Sequence, residues 1–184
     1  MKSITAILKK EIAIPAGLIT PLKIVLFSYM TFVAAMIKIY TPFSPVPFTM
    51  QTFVLFMSVY YLNGRQAGLS QALYILAGLI GAPVFASGAA GMLSLVAPTA
   101  GYLIGFVVAA VMMGFIASKI KLNYIRAFAL FSAGSAVLLI LGTAHLYFFY
   151  KMGLREAFTA GFAPFVAVET AKAAAAAGFY KLAR

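Results

Sequence analysis

Residues 99–118 read TAGYLIGFVVAAVMMGFIAS, a run without one charged side chain. A helix of about 20 residues is about 30 Å long, which matches the hydrocarbon core of a bilayer. Small residues spaced like Gly101 and Gly105 let helices approach closely in lipid, although this pattern is common and says little about function. The run therefore predicts a membrane-spanning helix.

Similar apolar runs recur along the whole chain, and the composition agrees with them. Hydrophobic residues make up 64% of the 184 residues and charged residues 9%, whereas soluble domains carry about 25% charged residues. We therefore predict an all-α integral membrane protein, a compact bundle of six transmembrane helices that forms one domain over residues 1–184. The other five runs are Leu22–Tyr40, Phe48–Leu62, Gln66–Ile80, Ala127–Tyr150 and Phe158–Tyr180.

Two connections between these runs carry no charge. Residues 41–47 read TPFSPVP, and three prolines in this segment exclude a regular helix. Residues 81–98 are rich in glycine and alanine, and we predict a loop folded into the protein. Because exposed loops are ordinarily polar, we interpret both connections as lids that pack onto the bundle, over a ligand. Simple packing is the alternative.

The basic residues predict the orientation in the membrane. Basic connections mark the cytoplasmic side, and ten basic residues fall on one side of the predicted bundle against three on the other. We therefore expect a multi-pass protein with both termini in the cytoplasm, and we interpret residues 1–21 as a cytoplasmic or interfacial lead-in. The ten are Lys2, Lys9, Lys10, Lys23, Arg65, Lys119, Lys121, Arg126, Lys181 and Arg184, and the three are Lys38, Lys151 and Arg155.

Several functional classes are disfavoured by the composition. The net charge is +11, but the basic residues lie between apolar runs rather than on a polar face, which argues against nucleic acid as a partner. The chain has no cysteine, and its one histidine, His145, lies in an apolar run, so we expect no metal site and no cofactor. No serine has a histidine and an aspartate available, so we predict no enzyme. A phosphate-binding loop is also missing, so any pumping requires a partner's energy or a gradient.

An acid and a base in the last run, within VAVETAKAAAAAGF, form the candidate site. An ionisable group inside a membrane helix costs at least about 2.5–3.5 kcal/mol, so Glu169 and Lys172 indicate a functional or structural role. Their spacing places both on one helix face, where they can pair. Together they suit a neutral ligand with N–H donors and a C=O acceptor, or the ammonium takes a ligand carboxylate. A purely structural ion pair and a proton relay are the alternatives.

Four stretches of the sequence, in order, resemble one known family. Residues 45–52 (PVPFTMQT) resemble its P-V-P-I-T-x-Q-T signature, and residues 73–88 (LYILAGLIGAPVFASG) are similar to its L-Y-L-x-x-G-x-x-G-x-P-V-F-A-x-G segment. Residues 97–106 (APTAGYLIGF) are similar to G-P-T-G-G-Y-L-I-G-F, and residues 142–154 resemble the fifth helix and its turn. The family is BioY, the biotin-specific S-component of energy-coupling factor (ECF) transporters.

The resemblance implies a six-helix subunit in the cytoplasmic membrane of a prokaryote that binds biotin at its outer face. It implies partners, namely a transmembrane T-component and paired ATPases that supply the energy. The family's last helix carries P-G-D-x-x-K, whose Asp and Lys contact biotin; here Glu169 and Lys172 match, although Glu replaces Asp and the Pro-Gly is lost. Further substrate-binding candidates are Ser87, Gln51, Phe43, Pro47, Phe85 and Tyr147, of which Gln51 could instead brace the loop and Tyr147 could belong to the membrane-interface belt.

Partner contacts and rival functions stay open at this point. Thr31 and Ala35 on the first helix form a small-xxx-small pattern, and the equivalent surface in S-components docks the T-component. Packing within the bundle explains the same spacing. The rivals are an autonomous biotin carrier that works without ATPases, a structural membrane protein without a small ligand, and an intramembrane enzyme.

Overall fold

The computed structural model describes residues 15–86, 88 and 90–181. Predictions that fall on residues 1–14 and 182–184, or on Ser87, lie outside the described residues. The described part is mostly helical, as predicted. In chain order it contains α1 (Ala16–Met36), β1 (Lys38–Thr41), β2 (Ser44–Thr49), α2 (Gln51–Ser58), α3 (Gly64–Leu79), a 3-10 turn (Gly91–Leu95), α4 (Ala100–Lys119), α5 (Tyr124–Phe148), α6 (Leu154–Gly161), α7 (Ala163–Gly178) and a final 3-10 turn (Phe179–Lys181).

The prediction of a purely helical chain is wrong between α1 and α2. Strands β1 and β2 form an antiparallel hairpin in which Lys38 lies opposite Thr49 and Ile39 opposite Phe48. Prolines in this segment cannot continue a helix, and an extended backbone tolerates them at the edge of a two-stranded sheet. Helix α1 therefore ends at Met36 rather than at Tyr40, and it begins at Ala16, inside the predicted lead-in.

The second and third predicted runs form helices of unequal length. Helix α2 has only 8 residues, because β2 uses the beginning of the run and turns follow Ser58. Helix α3 begins with a reciprocal cap, in which the Gln66 N–H donates to Asn63 Oδ1 at 3.1 Å and the Asn63 N–H donates to Gln66 Oε1 at 3.2 Å. Such a pair satisfies two backbone donors at a helix start, which fixes where α3 begins.

Helices α4 and α5 approach closely through glycines. A Cβ atom on Gly101 would lie 2.3 Å from His145 Cβ, and one on Gly142 would lie 2.2 Å from the Tyr102 ring. Real side chains do not tolerate such distances, so these positions require glycine. The predicted role of small residues in close helix packing is confirmed for this pair of helices.

The last predicted run breaks into α6 and α7. The break at Phe162 comes shortly before Pro164, which lies in the first turn of α7 and has no N–H to continue the ladder of α6. The free carbonyl of Gly161 accepts a hydrogen bond from the Tyr102 hydroxyl at 2.6 Å. This hydrogen bond ties the end of α6 to α4, at the point where the chain turns into α7.

Three described helices are long and apolar enough to cross a membrane, namely those over Gly17–Met36, Ala100–Lys119 and Tyr124–Phe148. The six-span count and the orientation of the termini stay predictions. The connections gather at two ends of the bundle. We call one the hairpin end, with residues 38–49, the described part of residues 81–98, and residues 149–153, and the other the basic end, with residues 59–63, 119–123 and 179–181.

Candidate functional site

Helix α7 buries the predicted acid–base pair inside the bundle. Glu169 is 4% exposed and Lys172 is 8% exposed. The Lys172 ammonium lies 2.6 Å from Glu169 Oε1, as the spacing of three residues on one helix face allows. Two buried charges in direct contact reduce the cost that either would have alone.

The ammonium group has all its donors engaged. Lys172 Nζ donates to the Thr49 carbonyl at 2.6 Å, to Thr52 Oγ1 at 2.9 Å and to Glu169 Oε1 at 2.6 Å. A lysine has three N–H donors, so these contacts use all of them. The pair is therefore fastened to the end of β2 and the start of α2, and Lys172 has no donor left over for a ligand in this arrangement.

The carboxylate is less saturated than the ammonium. Glu169 Oε1 accepts from Lys172 and also from the Thr52 hydroxyl at 2.9 Å. Among the described residues, Glu169 Oε2 accepts from the Ser135 hydroxyl alone, at 3.3 Å. Since a carboxylate oxygen can accept two hydrogen bonds, Oε2 retains acceptor capacity for an N–H donor.

A cavity lies between the pair and the hairpin end. It measures about 50 Å³, and Glu169 is one of its lining residues whereas Lys172 is not. Most of the wall is apolar or aromatic, with hydroxyl and amide groups placed among these side chains. The lining residues are Val46, Pro47, Thr49, Gln51, Thr52, Tyr74, Phe85, Ala86, Thr99, Tyr102, Leu103, Phe106, Leu138, Leu139, Phe165 and Glu169.

Gln51 connects this cavity to the connection over residues 81–98, which we call the long loop. Its amide donates to the Tyr74 hydroxyl at 2.9 Å and its carbonyl accepts from Thr49 Oγ1 at 3.0 Å. The Tyr74 hydroxyl then donates to the Val84 carbonyl at 3.1 Å. Gln51 therefore braces the loop and also lines the cavity, so both interpretations of this residue remain open.

The long loop is fastened near both ends by side chains from other elements. The Ala86 carbonyl accepts from Lys38 Nζ at 3.0 Å and from the Tyr40 hydroxyl at 2.8 Å, both on β1. At the other end, Val96 O accepts from the Tyr150 hydroxyl at 2.7 Å, and the His145 ring nitrogen lies 3.2 Å from Ala97 O. The loop therefore packs onto the bundle over the cavity.

The structure brings together some of the other predicted substrate-binding residues. Pro47 and Phe85 line the cavity with Gln51. Phe43 lies at the tip of the hairpin and is 56% exposed, and Tyr147 is 40% exposed and packs edge-to-face on Phe148. These two side chains do not reach the cavity.

The two predicted docking residues are not on the surface. Thr31 and Ala35 are both 0% exposed, and Thr31 donates to the Phe27 carbonyl and accepts from Gln71 of α3 at 3.2 Å. A side chain buried in this way cannot form a docking surface, so this prediction requires correction. The small residues instead let α1 pack against its neighbours within the bundle.

Three polar partners of the pair were not predicted from the sequence. Thr52 contacts both charges, the Thr49 carbonyl accepts from Lys172, and Ser135 donates to Glu169. Thr52 closes the PVPFTMQT stretch, so its place in that motif could have indicated it. Nothing in the local sequence around Ser135 distinguishes it from other helix serines.

Comparison with known proteins relates the chain to one family. The chain matches the BioY family over residues 10–184. It is 40% identical over 152 residues to "Biotin transporter BioY" of Thermotoga maritima, covering 83% of this chain and 88% of the relative. It is 35% identical over 141 residues to "Biotin transporter BioY2" of Lactococcus lactis, covering 77% and 78%. The family is one of transporters, in agreement with the prediction that the chain is not an enzyme.

The fold has a solved counterpart. The S-component for biotin from an ECF-type ABC transporter superposes with a TM-score of 0.82 at 20% identity, covering 92% of this chain and 94% of that chain. At this identity the likeness establishes the fold. The family match, in contrast, extends over residues 10–184 and includes the four stretches at residues 45–52, 73–88, 97–106 and 142–154. The chain belongs to the BioY family.

Proposed function

We propose that this chain is a membrane-embedded biotin-binding subunit that mediates biotin uptake. The observation that carries the proposal is the buried Glu169 carboxylate, which lines the cavity and whose Oε2 atom can accept a further hydrogen bond. Relatives covered over most of their length are named biotin transporters, which supports the choice of ligand.

The chemistry of biotin suits this wall. Its ureido ring has two N–H donors, which match the free acceptor capacity of Glu169 Oε2. Its one C=O acceptor matches the side-chain amide of Gln51, which has two N–H donors and gives one to Tyr74. Its thiophane ring and valerate chain are apolar and match Phe85 and Leu139. Lys172 then acts mainly as the counter-ion that holds the carboxylate in place.

Biotin entry requires a movement of the lid. Pockets for small ligands measure about 300–1,000 Å³, whereas the cavity here measures about 50 Å³. Phe85 belongs to the long loop and lines the same cavity as Glu169, with its ring edge-to-face on Tyr74 at 5.5 Å. We infer that the long loop withdraws Phe85 to admit the ligand and closes over it afterwards.

Calorimetric titration of the purified protein with biotin tests the proposal. The Glu169→Gln variant keeps the shape of the side chain but removes the charge, and we expect at least about tenfold weaker binding because hydrogen bonds to a charged group are worth about 1.5–3 kcal/mol. The control is Glu156→Gln, the same change at an exposed position in the first turn of α6. Absence of biotin binding by the unaltered protein, or equal binding by both variants, contradicts the proposal.

We further propose that partners, a T-component and paired ATPases, energise uptake in the cytoplasmic membrane. The absence of a phosphate-binding motif from the sequence supports this, because the chain needs an external source of energy to concentrate its ligand. The rival is an autonomous carrier. Uptake of labelled biotin in cells that lack every T-component and ATPase of this kind distinguishes the two: we expect no accumulation above equilibrium, and accumulation favours the rival.

A further inference from the structure

A second and larger cavity lies at the basic end, far along the bundle from the acid–base pair. It measures about 410 Å³ and opens between the turn after α2, the end of α4, the connection to α5 and the final turn. Its wall contains both polar and apolar side chains.

The charges around this cavity are all positive in the described part of the chain. Lys121 lines it directly, and Arg126 Nη1 donates to the backbone carbonyl of Lys121 at 3.0 Å, which places a second cation next to a residue of the cavity wall. Lys181 Nζ lies 6.0 Å from the centre of the Tyr180 ring, another part of the wall. Among the described residues the carboxylates are Glu156, at the start of α6, and Glu169, which is paired with Lys172.

These cations lack a compensating anion from the described residues, and the wall beside them is amphipathic. Tyr61 is 42% exposed and its ring stacks on Phe27 of α1 at 5.9 Å, so the rim is aromatic and accessible. Val59, Leu62 and Leu122 supply apolar surface deeper in the cavity. Tyrosines with nearby lysines and arginines are typical of the headgroup level of a membrane.

We propose that the basic-end cavity binds the headgroup of an anionic phospholipid, with its phosphate beside Lys121 and Arg126 and its glycerol and upper acyl carbons against the apolar wall. Charge complementarity selects an anion, and basic pockets between transmembrane helices are known to take acidic headgroups. The apolar wall favours a lipid over a free phosphate, which has no surface to place against Val59 and Leu62. This proposal does not depend on biotin binding.

Native mass spectrometry of the detergent-purified protein tests this, with dioleoyl phosphatidylglycerol and dioleoyl phosphatidylcholine as competing probes. We expect the unaltered protein to retain phosphatidylglycerol. We expect roughly tenfold weaker retention in Lys121→Gln/Arg126→Gln, because each basic residue near an anionic headgroup strengthens the binding of that lipid. The matched control is Lys151→Gln/Arg155→Gln, which removes the same charge from the region of the hairpin end. All side chains changed are exposed, so both variants should fold.

Three outcomes overturn the proposal. Equal retention of the two lipids shows that the cavity does not select an anionic headgroup. Equal loss in the two double variants shows that net charge, rather than this cavity, attracts the lipid. Displacement of phosphatidylglycerol by millimolar inorganic phosphate shows that the cavity is a site for a free anion. As a second variant, Ala117→Phe adds volume at the cavity wall without changing charge, and unchanged lipid retention in it also contradicts the proposal.

Discussion

Thr52 contacts both charged side chains of the site and holds them in place. Its hydroxyl donates to Glu169 Oε1 and accepts from Lys172 Nζ, both at 2.9 Å, and it lies at the start of a helix different from that of the pair. The Thr49 carbonyl adds a second contact from the same segment. The position of the carboxylate is therefore set by the hairpin and α2 as much as by α7.

Thr52→Val tests this arrangement with a side chain of the same shape. We expect the melting temperature to fall by several degrees, since a buried polar group left without a partner costs about 1–3 kcal/mol and each kcal/mol corresponds to about 2–4 °C at this chain length. Circular dichroism at 222 nm measures it. The control is Thr170→Val, because the exposed Thr170 hydroxyl donates to the Val166 carbonyl of its own helix. Equal melting temperatures in the two variants contradict this role for Thr52.

At the scale of elements, the long loop and the hairpin behave as one lid. Phe85 packs on Gly78 of α3, where a Cβ atom would lie 2.1 Å from the Phe85 ring. The long loop can therefore pack here only because residue 78 is glycine. The Lys38 and Tyr40 side chains hold the neighbouring Ala86 carbonyl from β1. We infer that the loop can open only when these two hydrogen bonds break.

The double variant Lys38→Gln/Tyr40→Phe should loosen this lid. We expect faster hydrogen–deuterium exchange of amides within residues 81–98, and, if biotin binds beneath, faster biotin dissociation with a smaller effect on association. The control is Tyr29→Phe, the same loss of a hydroxyl on the exposed face of α1. Unchanged amide exchange in the long loop would show that the hairpin does not hold the loop, and this result does not depend on which ligand the protein binds.

At the scale of the whole molecule, the two ends differ in charge and in construction. The basic end has short connections with Lys119, Lys121 and Lys181, whereas the hairpin end has a two-stranded sheet and an uncharged loop above the cavity. Because basic residues favour the cytoplasmic side, we propose that the basic end faces the cytoplasm and that the cavity opens outward.

Cysteine accessibility tests this orientation cleanly, because the natural chain contains no cysteine. A membrane-impermeant maleimide should label Lys151→Cys in intact cells, since this residue follows α5 at the hairpin end. It should label Ser118→Cys, at the basic end of α4, only after the membrane is permeabilised. The reverse pattern would invert the proposed orientation and with it the direction in which the cavity opens.

The sequence alone was enough for the properties that depend on local chemistry. Apolar runs such as residues 99–118 predict membrane helices because an unsatisfied backbone or a free charge is too costly in lipid. For the same reason two ionisable residues inside an apolar run identify Glu169 and Lys172 as the candidate site. The prolines of residues 41–47 exclude a helix, although they do not by themselves predict the register of a hairpin.

Tertiary structure decided everything that depends on distant residues meeting. Ser135 is 34 residues from Glu169 and Thr52 is 117 residues from it, and no local pattern shows that their hydroxyls share one carboxylate. The burial of Thr31 and Ala35 was likewise decided by the helices that pack on α1, because a small residue fits an inner and an outer helix interface equally well. The sequence by itself thus determined which residues carry a charge that is costly to bury in a membrane. Only the three-dimensional packing decided which hydrogen-bond partners compensate that cost.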